Sequence, residues 1–442
     1  MEQFLKLLSQ SLEALPSDSG RYAVAFSGGV DSAVLLAALT RLVPRPEVRA
    51  LHIDHGLHPD SGAWVGHCRV IANTLGADCV SRQVHIENKA GESLEALARE
   101  ARYQALGELI TPGEILLTAH HSDDQLETLL FRLFRGSGVK GLRGIAEFKR
   151  FRTGFLARPM LRISREEILV VARAWQLDWL EDPMNQDIRL DRNFLRAEIL
   201  PQINKRWPAA NKTVGRTAQQ MTEAQELLDG VAEVDGRLIK DAARVRQTDL
   251  LVLPAPRQRN LLRYLIARLG LPTPAARQLD TLLKGLRVQR ADAETQVQWP
   301  GGEARIYRGV LYLFPPLGEG SGDGYAGEIG LSRSWTGPEG SLFLVRGTGP
   351  GLPDAWVKEG LAVRFRVGGE RFKPLLHDHS RPLKKWLQDA GVLPWLRGRI
   401  PLLYHNDQLV AVGDLWISAT VSGLPDSESG WQISWINHPQ LT

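Results

Sequence analysis

The stretch RYAVAFSGGVDSAVLLAALTRL, residues 21–42, decides the fold of the first part of the chain. Residues 21–26 predict a buried strand, the segment from Asp31 onward predicts a helix, and a glycine pair separates the two. Glycines let backbone N–H groups approach phosphate oxygens, and a helix N-terminus carries about half a positive charge. The stretch therefore predicts a phosphate site formed by Ser27, Gly28, Gly29, Val30, Asp31 and Ser32.

This turn has no lysine, and no segment of the chain matches the lysine-containing loop of the common nucleoside triphosphatases. A loop whose donors are all neutral suits pyrophosphate as a leaving group, with chemistry at the α-phosphate. Asp31 would repel phosphate, so we assign it to Mg²⁺ binding or to nucleotide positioning. The structural alternative is a Gly-Gly turn capped by Asp and Ser.

Short strands alternate with helices throughout the first part of the chain. We predict strands at 21–26, 47–54, 78–86 and 114–120, and helices at 93–110 and 123–136. This alternation predicts an α/β fold with a doubly wound, mostly parallel sheet. Ligands of such sheets bind beyond the carboxyl ends of the strands.

A second polar cluster, AHHSDDQLET (119–128), follows the predicted strand at 114–120. Asp124 and Glu127 are three residues apart at a helix start, which is also the spacing of a capping box. Both project from one helical face and could hold a cationic substrate, whereas metal binding by His and Asp is another interpretation. His120, His121 and Asp123 add more polarity than a cap needs, so they are further candidate active-site residues.

The rest of the chain predicts a mainly helical middle domain and a small α+β C-terminal domain. We expect a catalytic domain at 1–215, a middle domain at 216–350 that ends in a hairpin and a glycine-rich linker, and a C-terminal domain at 356–442. Residues 364–389 contain seven basic and three acidic residues, which favours contact with an RNA backbone over a merely solvated face. The basic residues that we expect to contact RNA there are Arg371, Lys373, Arg381, Lys384 and Lys385.

Composition limits the class of protein. The 442 residues have a net charge of +4, a mild bias that permits a nucleic-acid partner. No apolar run is long enough for a membrane span, and the start of the chain lacks the pattern of a signal peptide. Two cysteines, Cys68 and Cys79, fit a reducing cytoplasm and cannot supply a four-thiolate metal site.

Several motifs together resemble one enzyme family. SGGVDS after a strand resembles the PP-loop of N-type ATP pyrophosphatases, which cleave ATP between the α- and β-phosphates and adenylate a substrate. The motifs LHIDHGLHPDS (51–61), EALAREARY (95–103), the segment 119–144, EDPMNQD (181–187), RNFLRAEILPQINKRWP (192–208) and the segment 371–413 look like tRNA(Ile)-lysidine synthetase. The likeness is weakest between about 230 and 355, and Asp54 stands where many relatives have asparagine.

The resemblance implies a reaction, its partners and residue roles. ATP would adenylate C2 of the wobble cytidine in the CAU anticodon of an isoleucine tRNA, and the amine of lysine would then displace AMP. Ser27–Ser32 would hold ATP, Asp124 and Glu127 would hold lysine, and Asp31, Arg102 and Arg196 would be catalytic. The C-terminal domain would grip the tRNA away from the anticodon. The base that takes the proton of the amine is not implied; His121 and Asp123 are candidates.

Three rival interpretations compete. A tRNA thiolase shares the PP-loop but needs a catalytic cysteine pair or a cysteine-bound cluster, and an amidotransferase-coupled ligase needs a glutaminase domain. A non-catalytic tRNA-binding protein would not need an intact SGGVDS and DDQLET. The chain also contains GSGVKG (136–141), which fits a dinucleotide fingerprint but follows a predicted helix, so we interpret it as a helix end and loop.

Overall fold

A computed structural model describes residues 1–15, 20–56, 61–86, 94–181, 187–288, 295–318, 324–330, 332–421 and 430–438. The chain forms two compact units, Met1–Gly230 and Val231–Thr442. Most of the motif at 181–187 and part of that at 51–61 lie outside the described residues. None of the helices in the described ranges is long and apolar enough to cross a membrane.

The first unit contains a six-stranded sheet with the order β3-β2-β1-β4-β6-β5. Five strands run parallel, and β5 pairs antiparallel with β6 at the edge. The strands are β1 (Arg21–Ala25), β2 (Glu47–Asp54), β3 (Asp78–Gln83), β4 (Ile115–Leu117), β5 (Phe148–Phe151) and β6 (Gly154–Ala157). This confirms the predicted fold class; the β5–β6 hairpin was not predicted.

Helices pack on both faces of this sheet, so its central strands are buried on both sides. One core contains α1, α2 and α7, and the other contains α4. The helices are α1 (Glu2–Glu13), α2 (Val30–Arg41), α3 (Ser61–Thr74), α4 (Leu94–Leu109), α5 (Ser122–Phe134), α6 (Val139–Leu142), α7 (Arg165–Ala174), α8 (Asp191–Phe194), α9 (Leu200–Arg206) and α10 (Ala210–Asp235). A π-helical turn, Leu195–Ile199, connects α8 to α9.

The first part of the second unit packs helices on a four-stranded sheet of order β7-β10-β9-β8. Its helices are α11 (Gln247–Leu251), α12 (Ala255–Arg268) and α13 (Ala276–Arg287). Its strands are β7 (Arg244–Arg246), β8 (Thr295–Trp299), β9 (Gly302–Tyr307) and β10 (Val310–Phe314). The predicted hairpin corresponds to β8, β9 and β10.

The last part of the chain has a separate hydrophobic core. Its strands are β11 (Gly324–Ile329), β12 (Ser334–Gly337), β13 (Gly340–Arg346), β14 (Leu361–Phe365), β15 (Arg371–Phe372), β16 (Arg381–Pro382), β17 (Leu402–His405), β18 (Gln408–Val412), β19 (Trp416–Ile417) and β20 (Trp431–Ile436). Its helices are α14 (Asp354–Glu359) and α15 (Leu383–Asp389). Because β11 pairs with β14 and β13 pairs with β20, residues before the expected boundary at 356 share this core. The three-domain division stays a prediction.

Candidate active site

A cavity of about 390 Å³ lies at the carboxyl ends of β1, β2 and β4, within the size range of small-ligand sites. Strand β4 lies beside β1 in the sheet, so segments that are distant in the sequence meet at this edge. The lining includes residues from both polar clusters and from α4, namely Ser27, Gly29, Asp31, Ser32, Arg102, Tyr103, His120 and Asp124.

The turn after β1 is held by its own serines and by the neighbouring loop. The Ser27 and Ser32 hydroxyls lie 3.2 Å apart, and the Ser32 hydroxyl donates to the Gly29 carbonyl at 2.9 Å. Gly28 has a φ of +82°, and a Cβ there would lie 2.7 Å from the Cys68 sulfur and 2.9 Å from Leu180. The turn therefore requires glycine at position 28 for both conformation and space.

Asp31 fits a role in cation binding. Its Oδ1 is buried and has no hydrogen-bond partner among the described residues. Burial raises the pKa of this carboxyl, and Asp124 adds to the rise, while His121 opposes it. No group of three or more candidate metal ligands occurs in the described ranges, so Mg²⁺ here would need oxygens from the substrate phosphates.

The two histidines after β4 differ in environment. His120 lines the cavity, and its Nδ1 lies 2.8 Å from the Thr118 hydroxyl. Burial lowers the pKa of His120 to about 3, with Arg158, Arg99 and Arg102 adding to the effect and Asp124 opposing it. This imidazole is therefore uncharged at neutral pH.

His121 is buried beneath the site, with its ring nitrogens 3.8 Å from Asp31, 3.6 Å from Asp123 and 3.5 Å from Asp124. Burial would lower its pKa, but these three carboxylates raise it above the usual value. Asp123 also accepts the backbone N–H of Arg165 at 2.9 Å, which ties α5 to the start of α7. Asp123 is absent from the residues that line the cavity.

Asp124 and Glu127 share one cationic partner. A terminal nitrogen of Arg196 lies 3.1 Å from Asp124 and 2.8 Å from Glu127. Glu127 is buried, and burial raises the pKa of its carboxyl although Arg196 opposes the rise. The structure therefore brings together the two carboxylates expected to hold a cation and an arginine expected to be catalytic.

The capping interpretation applies to Asp124 and not to Glu127. Helix α5 begins at Ser122, with His121 as its N-cap. The Asp124 carboxylate accepts the backbone N–H of His121 at 3.0 Å, so Asp124 is the residue that closes the cap. Glu127 lies one turn further along the helix, where no backbone donor of the helix start needs it.

Two arginines from distant elements complete the site. Arg102, on α4, lines the cavity. Arg196 lies in the π-helical turn, a type of helix irregularity that is frequent at functional sites. Tyr103, His52 and Trp64 also line the cavity. Sequence reasoning assigned them no individual role, because a single aromatic residue within a strand or helix pattern looks the same in a core as in a ligand site.

Neither cysteine has the environment of a nucleophile. Cys68 is completely buried under Gly28, and burial raises the pKa of its thiol to about 12. The pKa of Cys79 is also raised by burial. Because the thiolate is the reactive form, these residues do not suit cysteine chemistry.

The basic C-terminal segment lies in the second unit. Arg381 stacks 3.6 Å from the centre of the Trp386 ring and pairs with Asp389 at 2.7 Å. The Arg371 guanidinium donates to the Ser380 carbonyl. Lys384 and Lys385 are exposed on α15, and Lys373 is half-buried.

Comparisons with known proteins cover most of the chain. A model of the "PP-loop domain" matches residues 2–203, one of the "TilS substrate binding domain" matches 247–312, and one of the "TilS substrate C-terminal domain" matches 361–435.

Curated relatives match over nearly their full length. The tRNA(Ile)-lysidine synthase of Methylococcus capsulatus is 38% identical over 96% of this chain and 98% of its own. The enzyme of the same name from Alkalilimnicola ehrlichii is 39% identical over 95% and 94%, and that from Pseudomonas aeruginosa is 37% identical over 99% of each chain. Among solved structures, the U34-tRNA thiolase NcsA from Methanococcus maripaludis covers 50% of this chain and 79% of its own, with 17% identity and a TM-score of 0.42.

Proposed function

This chain belongs to the tRNA(Ile)-lysidine synthase family, and we propose that its cavity joins lysine to C2 of the wobble cytidine in the CAU anticodon of tRNA(Ile) at the expense of ATP. The products are lysidine, AMP and pyrophosphate, and the tRNA changes from methionine to isoleucine identity. One observation carries the residue assignment: Ser27, Gly29 and Ser32 line the same cavity as Asp124 and Arg102.

ATP binds in the turn between β1 and α2. Backbone N–H groups and the Ser27 and Ser32 hydroxyls bind the phosphates, aided by the positive N-terminus of α2. In the first step, O2 of the cytidine attacks the α-phosphorus and pyrophosphate leaves. Arg102 and Arg196 offset the charge that develops on the α-phosphate.

Mg²⁺ suits this site because the Asp31 carboxylate offers a buried oxygen with no hydrogen-bond partner among the described residues. A bound ion would offset phosphate charge and orient the triphosphate. Through this ion, Asp31 would also position the nucleotide at the start of α2.

Asp124 and Glu127 bind an ammonium group of lysine. Two carboxylates on one helical face match a cation, and both already contact the guanidinium of Arg196. In the second step, the free amine of lysine attacks C2, the C2–O bond breaks, and AMP leaves.

His120 lines the cavity and suits accepting a hydrogen bond from the attacking amine, although a pKa of about 3 makes it too weak a base to take the proton unaided. It is uncharged at neutral pH, and the anionic nucleotide beside it raises its affinity for a proton. His121 suits this role less well because the raised pKa of its ring favours the protonated form, so we assign it to holding Asp31, Asp123 and Asp124.

The tRNA body binds in part through the C-terminal basic residues Arg371, Lys373, Arg381, Lys384 and Lys385. Exposed lysines next to a stacked Arg–Trp pair are typical of RNA backbone contact. We further infer a cytoplasmic location, which the two free thiols support.

The thiolase alternative lacks support because Cys68 is buried with a thiol pKa of about 12. The direct test mixes the protein with ATP, Mg²⁺, labelled lysine and tRNA(Ile) that carries CAU. We expect label on the wobble cytidine and one AMP for each lysine incorporated. Absence of both products would contradict the proposal, and a tRNA(Ile) with a different wobble base is the control substrate.

A further inference from the structure

Cations gather around Tyr103, next to the wall of the cavity. The guanidinium of Arg99 lies 5.1 Å from the centre of the Tyr103 ring, that of Arg102 lies 5.7 Å away, and the Lys149 ammonium lies 5.8 Å away. The Arg158 guanidinium is a further cation that acts on the Tyr103 hydroxyl. Burial would raise the pKa of Tyr103, but the arginines lower it, which reflects a strongly positive environment.

Arg158 lies at the base of this cluster and is only 4% exposed. Its guanidinium donates to the Ala146 carbonyl at 2.6 Å, while its Nε has no hydrogen-bond partner among the described residues. Among the described residues, Arg158 forms no ion pair with a carboxylate, and the Ala146 carbonyl to which it donates is neutral. A buried cation without an anion is costly, which indicates that an anion from outside completes the cluster.

Regular elements fix the cluster in place. Arg99 and Tyr103 are one turn apart on α4, Lys149 lies on β5, and Arg158 directly follows β6. Phe151, on β5, packs edge-on against the Tyr103 ring at 5.9 Å. Arg99 and Lys149 are exposed, so they form a rim above the buried Arg158.

We propose that Arg99, Lys149 and Arg158, grouped around Tyr103, form a subsite that binds the RNA backbone phosphates next to the reacting cytidine. This subsite rests on the proposed function. A nucleotide within an RNA chain brings a phosphate on each side, and both must approach the cavity when its base reaches the α-phosphate. Guanidinium groups match phosphate oxygens in geometry and in charge.

The position of the cluster favours RNA over the triphosphate of ATP. Arg102 and Tyr103 line the cavity, whereas Arg99, Lys149 and Arg158 are not among the residues that line it. The phosphates of ATP have their own donors at the start of α2.

The test compares the double variant Arg99→Ala/Lys149→Ala with the control Arg150→Ala. All three residues are exposed, so folding should be preserved. Arg150 is the next residue of β5 and lies over Phe155 at 5.9 Å. The probe is the isolated anticodon stem–loop of tRNA(Ile), and binding is measured without ATP over a range of KCl concentrations.

We expect the double variant to bind the stem–loop about tenfold more weakly and to reduce the magnitude of the slope of log K against log salt by about 1.4, since each of the two lost phosphate contacts in a single strand removes about 0.7. Arg150→Ala should keep the wild-type slope. An unchanged slope in the double variant overturns the subsite, and so does an equal reduction of the slope in Arg150→Ala. Because binding is measured without lysine, a failure of lysine incorporation by the wild type would be a separate result.

Discussion

At the scale of single residues, Arg196 links both lysine-binding candidates and thereby makes them testable. Its guanidinium contacts Asp124 and Glu127 within 3.1 Å, so the negative charge of both carboxylates is offset before lysine binds. Under the proposed function, lysine would have to compete with this guanidinium for the two carboxylates, so removing the charge of one carboxylate should affect lysine use before ATP use.

Glu127→Gln should raise the KM for lysine about tenfold or more, because a charge-assisted contact worth about 1.5–3 kcal/mol is lost. The KM for ATP should stay within about threefold of the wild-type value. Glu198→Gln removes an exposed carboxylate from the π-helical turn and is the matched control. Equal losses for lysine and ATP would indicate a structural role for Glu127.

Gly28 and Gly29 should respond differently to alanine. Gly28→Ala places a methyl group at a positive φ and within 3 Å of Cys68 and Leu180, which should cost about 1–3 kcal/mol and lower the Tm by several degrees. Gly29 has a φ of −72°, so Gly29→Ala should preserve the Tm while raising the KM for ATP. Thermal unfolding and ATP titration distinguish the two; similar Tm losses would contradict the prediction.

At the scale of elements, the sequence predicts where most strands and helices lie but not which strands are neighbours. Residues 21–25 and 115–117 have the apolar, β-branched pattern of buried strands, so their strands were predicted. The position of β4 beside β1 could not be predicted, because it results from packing between segments that are far apart in the sequence. The β5–β6 hairpin was missed because charged residues interrupt its apolar pattern, as in FKRF.

The candidate site shows the same division. SGGVDS and DDQLET can be recognised as candidate site motifs from their residue types and spacing. Arg158 cannot, because a single arginine after a strand looks like a surface residue, and its burial depends on Tyr103 and the Ala146 carbonyl. The π-helical turn that holds Arg196 likewise has no sequence signal.

Another contact between elements, Arg49 with Glu114, links β2 to the loop before β4. Both oxygens of Glu114 accept from Arg49 at 2.6 Å, and Thr111 donates its backbone N–H at 3.0 Å. Burial would raise the pKa of Glu114, but the hydrogen bonds from Arg49 and Thr111 lower it. A lowered pKa in the folded state stabilises the fold at pH values above the usual glutamate pKa, and this contribution is lost as pH falls through the folded value.

Glu114→Gln should therefore lower the free energy of unfolding by about 2 kcal/mol at pH 7, and the difference from the wild type should shrink as the pH falls below the usual glutamate range. Denaturant unfolding at pH 7 and at pH values below the usual glutamate pKa measures this. Glu108→Gln is the control, since its pair with Arg82 is exposed and should contribute less than about 1 kcal/mol. A difference that is independent of pH would contradict the ionic origin.

At the scale of the whole molecule, two regions are assigned to one RNA: the cavity of the first unit and the basic segment of the second. The C-terminal core includes Leu342 and Leu344 from β13, which pairs with β20. A truncation before Trp356 would remove β20 and divide this core. Point variants on α15 are therefore the better test of RNA binding.

Lys384→Ala/Lys385→Ala should weaken binding of full-length tRNA about fivefold to tenfold and lower the salt slope by about 1–2. Binding of the isolated anticodon stem–loop should not change, because this helix would contact the tRNA elsewhere. Lys358→Ala, an exposed lysine on α14, is the control. Equal weakening for stem–loop and full tRNA would place α15 at the anticodon instead.

The pairing of β1 with β4 has a kinetic consequence. It joins Tyr22–Val24 to Ile115–Leu117, and the cavity exists only where these two strands meet. Parallel strands that are far apart in the sequence pair slowly, because the entropy cost of closing the long loop between them comes before the stabilising contacts form. We therefore expect the cavity to form late in the folding of the first unit, because it needs both strands in place.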